Sequence, residues 1–540
     1  METAAVSVLK QGVFERVAAR LAAVIVFLAI GVAGCGGNST IIVPVSPPPP
    51  FNSAKNEGAL LGDHVAATYP TMTSGGTIGL NDFYSGVICS GLEAADCAKN
   101  RVNLDTPLFG NFDLDADPIG HNPLGITEVD AVKLVYGAIN VDQNGLPVTG
   151  GLLVPRIDPA SLKGMILYFH GTTVQRDDVP SNFAPLTATS GYIDSPVLAA
   201  VWASQGYVVV MPDYIGLGDD TTHVHPYSAY PGVNAQSGLA MVKAARDYLA
   251  SAYGIKGTLP FYLTGYSEGG AYALKAEQLM QDNPLYASVL NAALLKAVPL
   301  SGFFDLSGTG VSYLFDNISS SNNKWYSLDP TISALSKPYL SAYLALSFAS
   351  YSGISPTNIL ASKFYNCPSG STDCGASNNL DGLYFTAPQS PDYNTKVALL
   401  AYALATQTGW SVGNNAITPL LTADYATALH SRDASNPLYQ QLVSADTYRF
   451  VPTVPITLTS LMQDSVVTRK NSDVAFAYFT GQNPSGPYKE ELVDNNDFLT
   501  SSTTGLDYLS PGLSSGSPID HLSELPFMSV LILNQFKSTP

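Results

Sequence analysis

Leu263-Thr264-Gly265-Tyr266-Ser267-Glu268-Gly269-Gly270 is the stretch on which the reading of this chain turns. It is a G-x-S-x-G segment. An apolar run, Leu259-Pro260-Phe261-Tyr262-Leu263, leads into it, and an Ala-rich stretch of helical character, residues 269–281, leads away. A strand that passes directly into a helix needs a sharp bend, and only small residues two positions either side of the serine let the neighbouring chain pass. The serine hydroxyl is then exposed above a sheet, at a helix N-terminus whose dipole favours developing negative charge. Ser267 is therefore the candidate nucleophile. A Gly-rich turn that merely starts a helix is the plainer alternative.

Further apolar runs flank this one. Residues 164–169, 206–211, 293–298 and 454–458 are short and show no alternation, as in strands buried on both faces. Between them, residues 236–252 place Leu239, Val242, Ala245 and Leu249 near helical spacing. Earlier, residues 126–141 alternate, Asp142-Gln143-Asn144-Gly145 signals a hairpin, and residues 146–155 return as a second strand. A hairpin followed by alternating buried strands and helices predicts an α/β fold, a mostly parallel central sheet flanked by helices. Residues 305–450 break the rhythm with helical segments at 339–350 and 397–406. They are expected to form an inserted helical cap between two halves of the core, 126–304 and 451–540. Residues 56–125 read as an irregular N-terminal extension.

The composition fits a folded core. Of 540 residues, 46% are hydrophobic, and only 13% are charged, about half the usual share. Acidic residues outnumber basic ones 43 to 25, a net charge of −18, which repels phosphate backbones and argues against a nucleic-acid partner. The chain starts with an address. Lys10, Arg16 and Arg20 precede an apolar run, residues 21–33, too short for a comfortable membrane span. The run ends in Val32-Ala33-Gly34-Cys35, which resembles the lipobox of bacterial lipoproteins. Residues 1–35 are thus expected to be a lipoprotein-type signal peptide, with export and membrane tethering through a lipidated Cys35. An ordinary signal peptide cut nearby is the alternative. Residues 36–55, with Pro47 to Pro50, read as a stiff tether. Export suits local disulfides, Cys89 with Cys97 and Cys367 with Cys374. Zinc is the weaker reading, because neither pair has C-x-x-C spacing or nearby His.

A neutral hydroxyl needs a base. The seven histidines are 64, 121, 170, 223, 225, 430 and 521. With the chain order nucleophile, acid, His, only His430 and His521 qualify. His430 falls in the expected cap. His521 lies in a loop, residues 518–527, before a terminal helix, and is the candidate base. The acid belongs in the turn after the 454–461 strand, where Asp464 stands; Asp473 and Asp520 are the runners-up. A carboxylate there accepts the ring N–H, fixes the tautomer and stabilises the imidazolium. A tetrahedral intermediate also needs two N–H donors. The Glu268 amide is one. The other comes from His170-Gly171-Thr172-Thr173, with Thr172 preferred over Thr173 and His170 holding the loop.

With these pieces the chain resembles the α/β-hydrolase superfamily, and within it the secreted bacterial and fungal lipases and esterases. The resemblance rests on His170-Gly-Thr, Gly206-Tyr-Val-Val-Val-Met-Pro-Asp-Tyr-Ile-Gly-Leu-Gly218, His225-Pro-Tyr227, Gly265-Tyr-Ser-Glu-Gly-Gly270, Asp464-Ser-Val-Val and His521, and covers about residues 126–535. It implies an α/β-hydrolase fold in which Asp213 and Tyr214 shape the site floor and the insertion covers an acyl pocket. The implied function is a serine carboxylic-ester hydrolase, a lipase or esterase, acting through an acyl-enzyme on neutral or apolar acyl esters without a cofactor. A peptidase, a feruloyl- or polyester-type esterase, and a non-catalytic surface lipoprotein are the alternatives. No metal site is expected. Asp113, Asp115 and Asp117 alternate as in a calcium loop, but Pro118 replaces the turn glycine. His223 and His225 lack an acidic or Cys partner at helical spacing. The cap aromatics Tyr339, Tyr343, Phe348 and Tyr351 read as packing rather than a lipid channel. Nothing in the sequence specifies an oligomeric state.

Overall fold

The computed structural model describes residues 51–89, 91–112, 124–173, 176–187, 194–315, 340, 343–344, 347–355, 358–359, 422–500 and 516–538. Among them a nine-stranded sheet is built from β1 (Leu60–Pro70), β2 (Glu128–Ile139), β3 (Gly145–Pro155), β4 (Gly164–Phe169), β5 (Tyr207–Pro212), β6 (Leu259–Tyr266), β7 (Ala292–Leu300), β8 (Ile456–Leu461) and β9 (Tyr488–Val493). The order is β1-β2-β3-β5-β4-β6-β7-β8-β9. β1 to β3 are antiparallel, and β3 meets β5 antiparallel. From β5 to β9 every pairing is parallel. The hairpin turn lies where the sequence places it. Asp142 Oδ1 accepts the Asn144 N–H at 3.0 Å, and Ile139 pairs with Gly145.

The continuous apolar runs become strands covered on both faces. Every residue of β4, β5 and β8 is buried. Along β4 the side chains alternate between two cores. Met165, Leu167 and Phe169 join the cluster under α4 (Pro231–Ala252) and α5 (Glu268–Asp282). Ile166 and Tyr168 join the cluster on the opposite face. That second cluster is closed by α1 (Leu80–Cys89), α3 (Asp194–Val201) and α11 (Leu525–Lys537). Further described helices are α2 (Ala94–Leu104), α6 (Leu285–Leu290), α7 (Val311–Phe315), α8 (Ala423–His430), α9 (Pro437–Ala445) and α10 (Lys470–Gln482). α7, α8 and α9 fall between β7 and β8, which are neighbours in the sheet. No described helix is long and apolar enough to cross a membrane.

One expectation is corrected. The 56–125 segment is not an irregular extension: it supplies the edge strand β1 and the helices α1 and α2. β1 escapes recognition because its outer side faces solvent, leaving Leu61 and Val65 exposed. Two register shifts, between Leu60 and Gly62 and between Val65 and Ala67, also erase its alternation. β9 is hidden differently, by Lys489-Glu490-Glu491 within its six residues. Cys89 and Cys97 form a disulfide that joins α1 to α2. Cys367, Cys374, residues 1–50 with Cys35, the acidic 113–117 stretch and the 397–406 segment lie outside the described residues.

α4 crosses β4 closely at Gly238, where a Cβ would stand 2.3 Å from the Phe169 ring. That ring is fully buried and flanked by Tyr214 and Tyr272. Gly238→Ala gains about 1 kcal/mol of helix propensity. It also overpacks a full core, at about 1–3 kcal/mol. We expect net destabilisation, read as a lower urea midpoint; an unchanged or raised midpoint contradicts this packing.

Candidate active site

β6 ends at Tyr266 and α5 starts at Glu268, so Ser267 alone makes the turn. Its backbone sits at φ 58° and ψ −120°. A non-glycine residue there stores about 1–3 kcal/mol of strain. The Ser267 N–H donating to the Leu300 carbonyl at 3.0 Å helps hold it. The flanking glycines answer a packing demand. A Cβ on Gly265 would stand 2.1 Å from the Gly269 carbonyl oxygen, and one on Gly269 would stand 2.0 Å from the Phe169 carbonyl oxygen.

Two distant loops meet this serine. His521 Nε2 lies 2.9 Å from Ser267 Oγ, and His521 Nδ1 lies 2.8 Å from Asp464 Oδ2. None of the three side chains is more than 1% exposed. Asp464 follows β8, and its Oδ1 accepts the N–H groups of Val466 at 2.8 Å and Val467 at 2.6 Å. Those bonds aim Oδ2 at the ring. His521 opens a one-turn helix, His521–Ser523, capped by Asp520. Asp520 Oδ1 accepts the N–H groups of His521 at 2.7 Å and Ser465 at 2.9 Å, tying the two loops together. With Nδ1–H facing a carboxylate, Nε2 is left to accept the serine proton. The other candidates lie elsewhere. His430 is exposed at the end of α8, and Asp473 pairs with Arg469 on α10. Asp520 shapes the loop.

Glu268 is the first residue of α5, so its N–H has no carbonyl one turn behind it. The His170-Gly171-Thr172 segment leaves β4 against the same turn. A Cβ on Gly171 would stand 3.6 Å from Ser267 Cβ. No described residue accepts the Thr172 N–H, while its Oγ1 bonds the Tyr227 hydroxyl at 3.1 Å. Thr173 is buried.

A ring stack links these two segments from below. Tyr214, at φ 74°, lies between His170 at 4.1 Å and His225 at 5.3 Å, centroid to centroid. Its hydroxyl donates to the His170 carbonyl at 2.7 Å. His225 Nε2 is 2.8 Å from Glu268 Oε1, which also accepts from the Tyr272 hydroxyl. The absence of acidic partners expected for His223 and His225 is therefore corrected. His223 meets Asp220 at 2.9 Å and His225 meets Glu268. Asp220 stands three residues before His223, at helical spacing but within a loop, and the Glu268 contact is set by tertiary folding. The cap aromatics pack on this floor. Tyr343 stacks on Tyr227 at 4.6 Å, and the Tyr351 hydroxyl donates to the Val224 carbonyl. Tyr339 lies outside the described residues.

Glu524 was not singled out from the sequence. It is fully buried, with Oε1 3.4 Å from His521 Nδ1. The His521-Leu-Ser-Glu524 spacing, one helical turn, was the available signal. Ligand atoms of Asp464, His521 and Glu524 lie within 4.8 Å of one another. Both ring nitrogens of His521 are already engaged, so the group reads as a hydrogen-bonded relay rather than a cation cage.

A mostly parallel sheet, with a strained serine between strand and helix and an acid and a histidine on later loops, defines the α/β-hydrolase fold. Residues 183–303 match the family model for secretory lipases. The rice cell wall degrading esterase LipA from Xanthomonas oryzae is 18% identical, with a TM-score of 0.58 over 90% of this chain and 100% of that one. A Legionella pneumophila protein is 19% identical, with a TM-score of 0.57 over 89% of this chain and 98% of that one. Candida antarctica lipase A gives 15% identity and a TM-score of 0.45 over 74% of this chain and 86% of that one. No curated protein matches the chain.

Burial sets a pH signature. It pushes Asp213, Asp446 and Asp520 up to about 6, and pushes His170 down to about 4. A raised aspartate binds its proton more tightly folded than unfolded. Its contribution is present below about pH 4 and is lost as pH rises through about 6. His170 acts in the opposite sense between about pH 4 and 6.5, while Glu490, pushed up to about 7 by burial and the nearby Asp473, adds to the aspartates. We expect the urea midpoint to be higher at pH 5 than at pH 7, and Asp213→Asn to narrow that difference. An undiminished difference in the variant contradicts the assignment.

Proposed function

We propose that this protein is a serine carboxylic-ester hydrolase of the lipase or esterase type, working through an acyl-enzyme. The observation that carries the reading is the unbroken relay from Ser267 Oγ to His521 to Asp464, at 2.9 and 2.8 Å. In this reading Ser267 Oγ attacks the ester carbonyl carbon as its proton passes to His521 Nε2. The Asp464 carboxylate stabilises the imidazolium. The N–H groups of Glu268 and Thr172 receive the oxyanion. Collapse expels the alcohol, protonated from Nε2. Water, deprotonated by the same nitrogen, then attacks the acyl-enzyme and frees the acid.

The strongly negative chain favours neutral or apolar acyl esters over polyanions. The esterase LipA acts on rice cell wall, so wall-type feruloyl esters belong beside simple acyl esters among the substrates to compare. A fluorophosphonate probe should label the wild type and fail on Ser267→Ala, whose kcat should fall by about 10⁴–10⁶. Turnover of p-nitrophenyl acyl esters should exceed that of aminoacyl amides. Equal labelling of the variant, or preference for the amides, would overturn the reading.

Residues 1–35 are proposed to direct export, with Cys35 as the lipidated N-terminus. Labelled palmitate should enter the protein in a bacterial host, and Cys35→Ala should abolish incorporation. Incorporation that survives the substitution would refute the anchor.

A further inference from the structure

Three carboxyl side chains, all fully buried or nearly so, lie around His521: Asp464 and Glu524 face its ring nitrogen Nδ1, and Asp520 holds its backbone N–H. Their hydrogen bonds differ. Asp464 accepts from Val466, Val467 and His521. Asp520 accepts from His521, from the Ser465 N–H and from the Ser465 hydroxyl. Neither oxygen of Glu524 is the acceptor of a well-formed hydrogen bond among the described residues. Its nearest electrostatic partner, Oε1 against His521 Nδ1, is 3.4 Å away. A buried carboxyl without donors is costly as an anion.

We propose that Glu524 is a positioning residue, a second acceptor for the Nδ1–H of His521 that takes over as its counter-ion when the charge at Asp464 is removed. This rests on the hydrolase reading above. The groups facing Glu524 are Asp464, Asp520, Tyr266 and the Ser301 hydroxyl. Burial and then the Asp464 charge hold the Glu524 carboxyl well above the ordinary range, with Ser301 opposing. In the native protein Glu524 is therefore the neutral acid, and its carbonyl oxygen faces Nδ1–H. When Asp464 is neutral, the repulsion ends. Glu524 releases its proton to solvent and the carboxylate holds the same N–H. The ring keeps its tautomer, and Nε2 stays free to serve Ser267.

The test is a double-mutant cycle with two readouts: the His521 imidazole pKa from ¹³C-histidine NMR titration, and kcat/KM on a p-nitrophenyl ester against pH. Glu524→Gln should lower the imidazole pKa by about one unit more in Asp464→Asn than in the otherwise wild-type chain. Its cost in kcat/KM should be at least about tenfold larger in that background. Asp464→Ala, which removes the competing amide donor, should give the same coupling. Equal effects of Glu524→Gln in both backgrounds, with melting temperatures alone changing, would overturn the proposal and leave Glu524 a packing residue. The titration reads the contact without turnover. Coupling in a protein whose Ser267 takes no fluorophosphonate would refute the hydrolase reading and support the contact.

Discussion

Ser267 stands at φ 58° and ψ −120°, between a strand that cannot continue and a helix that cannot start earlier. The bend persists because everything around it is packed to that shape. The Phe169 carbonyl oxygen sits where a Cβ on Gly269 would be, and the Leu300 carbonyl oxygen sits 2.7 Å from where a Cβ on Gly270 would be. Two neighbouring strands thus set how closely α5 may approach, and the serine absorbs the difference as strain. The same bend that presents the Ser267 hydroxyl to His521 leaves the first amide of α5 without a carbonyl one turn behind it. The strained serine and the open amide are two consequences of one packing constraint.

That constraint explains why the floor beneath the turn is aromatic and polar at once. The Glu268 side chain points into the core, and a buried carboxyl there needs donors. His225 and Tyr272 supply them. His225 is oriented in turn by its Nδ1, 2.9 Å from the Ile215 carbonyl. Tyr214 stacks on His225 and on His170, which opens the other arm. Through this stack the Thr172 segment and the start of α5 are held against a single rigid element. Burial keeps His170 neutral, so its arm carries no charge to compete with the relay.

Much of this was legible in the sequence because the signals were local. The continuous runs of β4 and β5, the hairpin at Asp142 to Gly145 and the glycines around Ser267 each carry their reason within ten residues. Ser267, Asp464 and His521 could be named in advance because each sits at the end of such an element, and the structure brings these three together. The elements that stayed hidden lack a local signature. β1 is mostly exposed and bulged, and β9 is half charged. The His225–Glu268 contact joins residues 43 apart in the chain, and no periodicity announces it. Glu524 shows the limit most clearly. Its spacing from His521 was visible, but its lack of donors exists only in three dimensions.

The relay also faces an electrostatic condition that its three members do not meet alone. Ser267 and His521 are closed to water, each 1% exposed. In such a medium a transient imidazolium is costly unless negative charge stands ready. Two carboxyls face this ring, and the Asp464 charge raises Glu524. Asp464 draws on two backbone amides and the ring, and its carboxylate faces Nδ1. Asp520 draws on Ser465 and the His521 backbone and holds the geometry. Glu524 draws only on the Ser301 hydroxyl and, in the reading proposed above, carries the proton. The site therefore keeps one charge next to the ring and further acid in reserve, which a single aspartate in an apolar pocket would not provide.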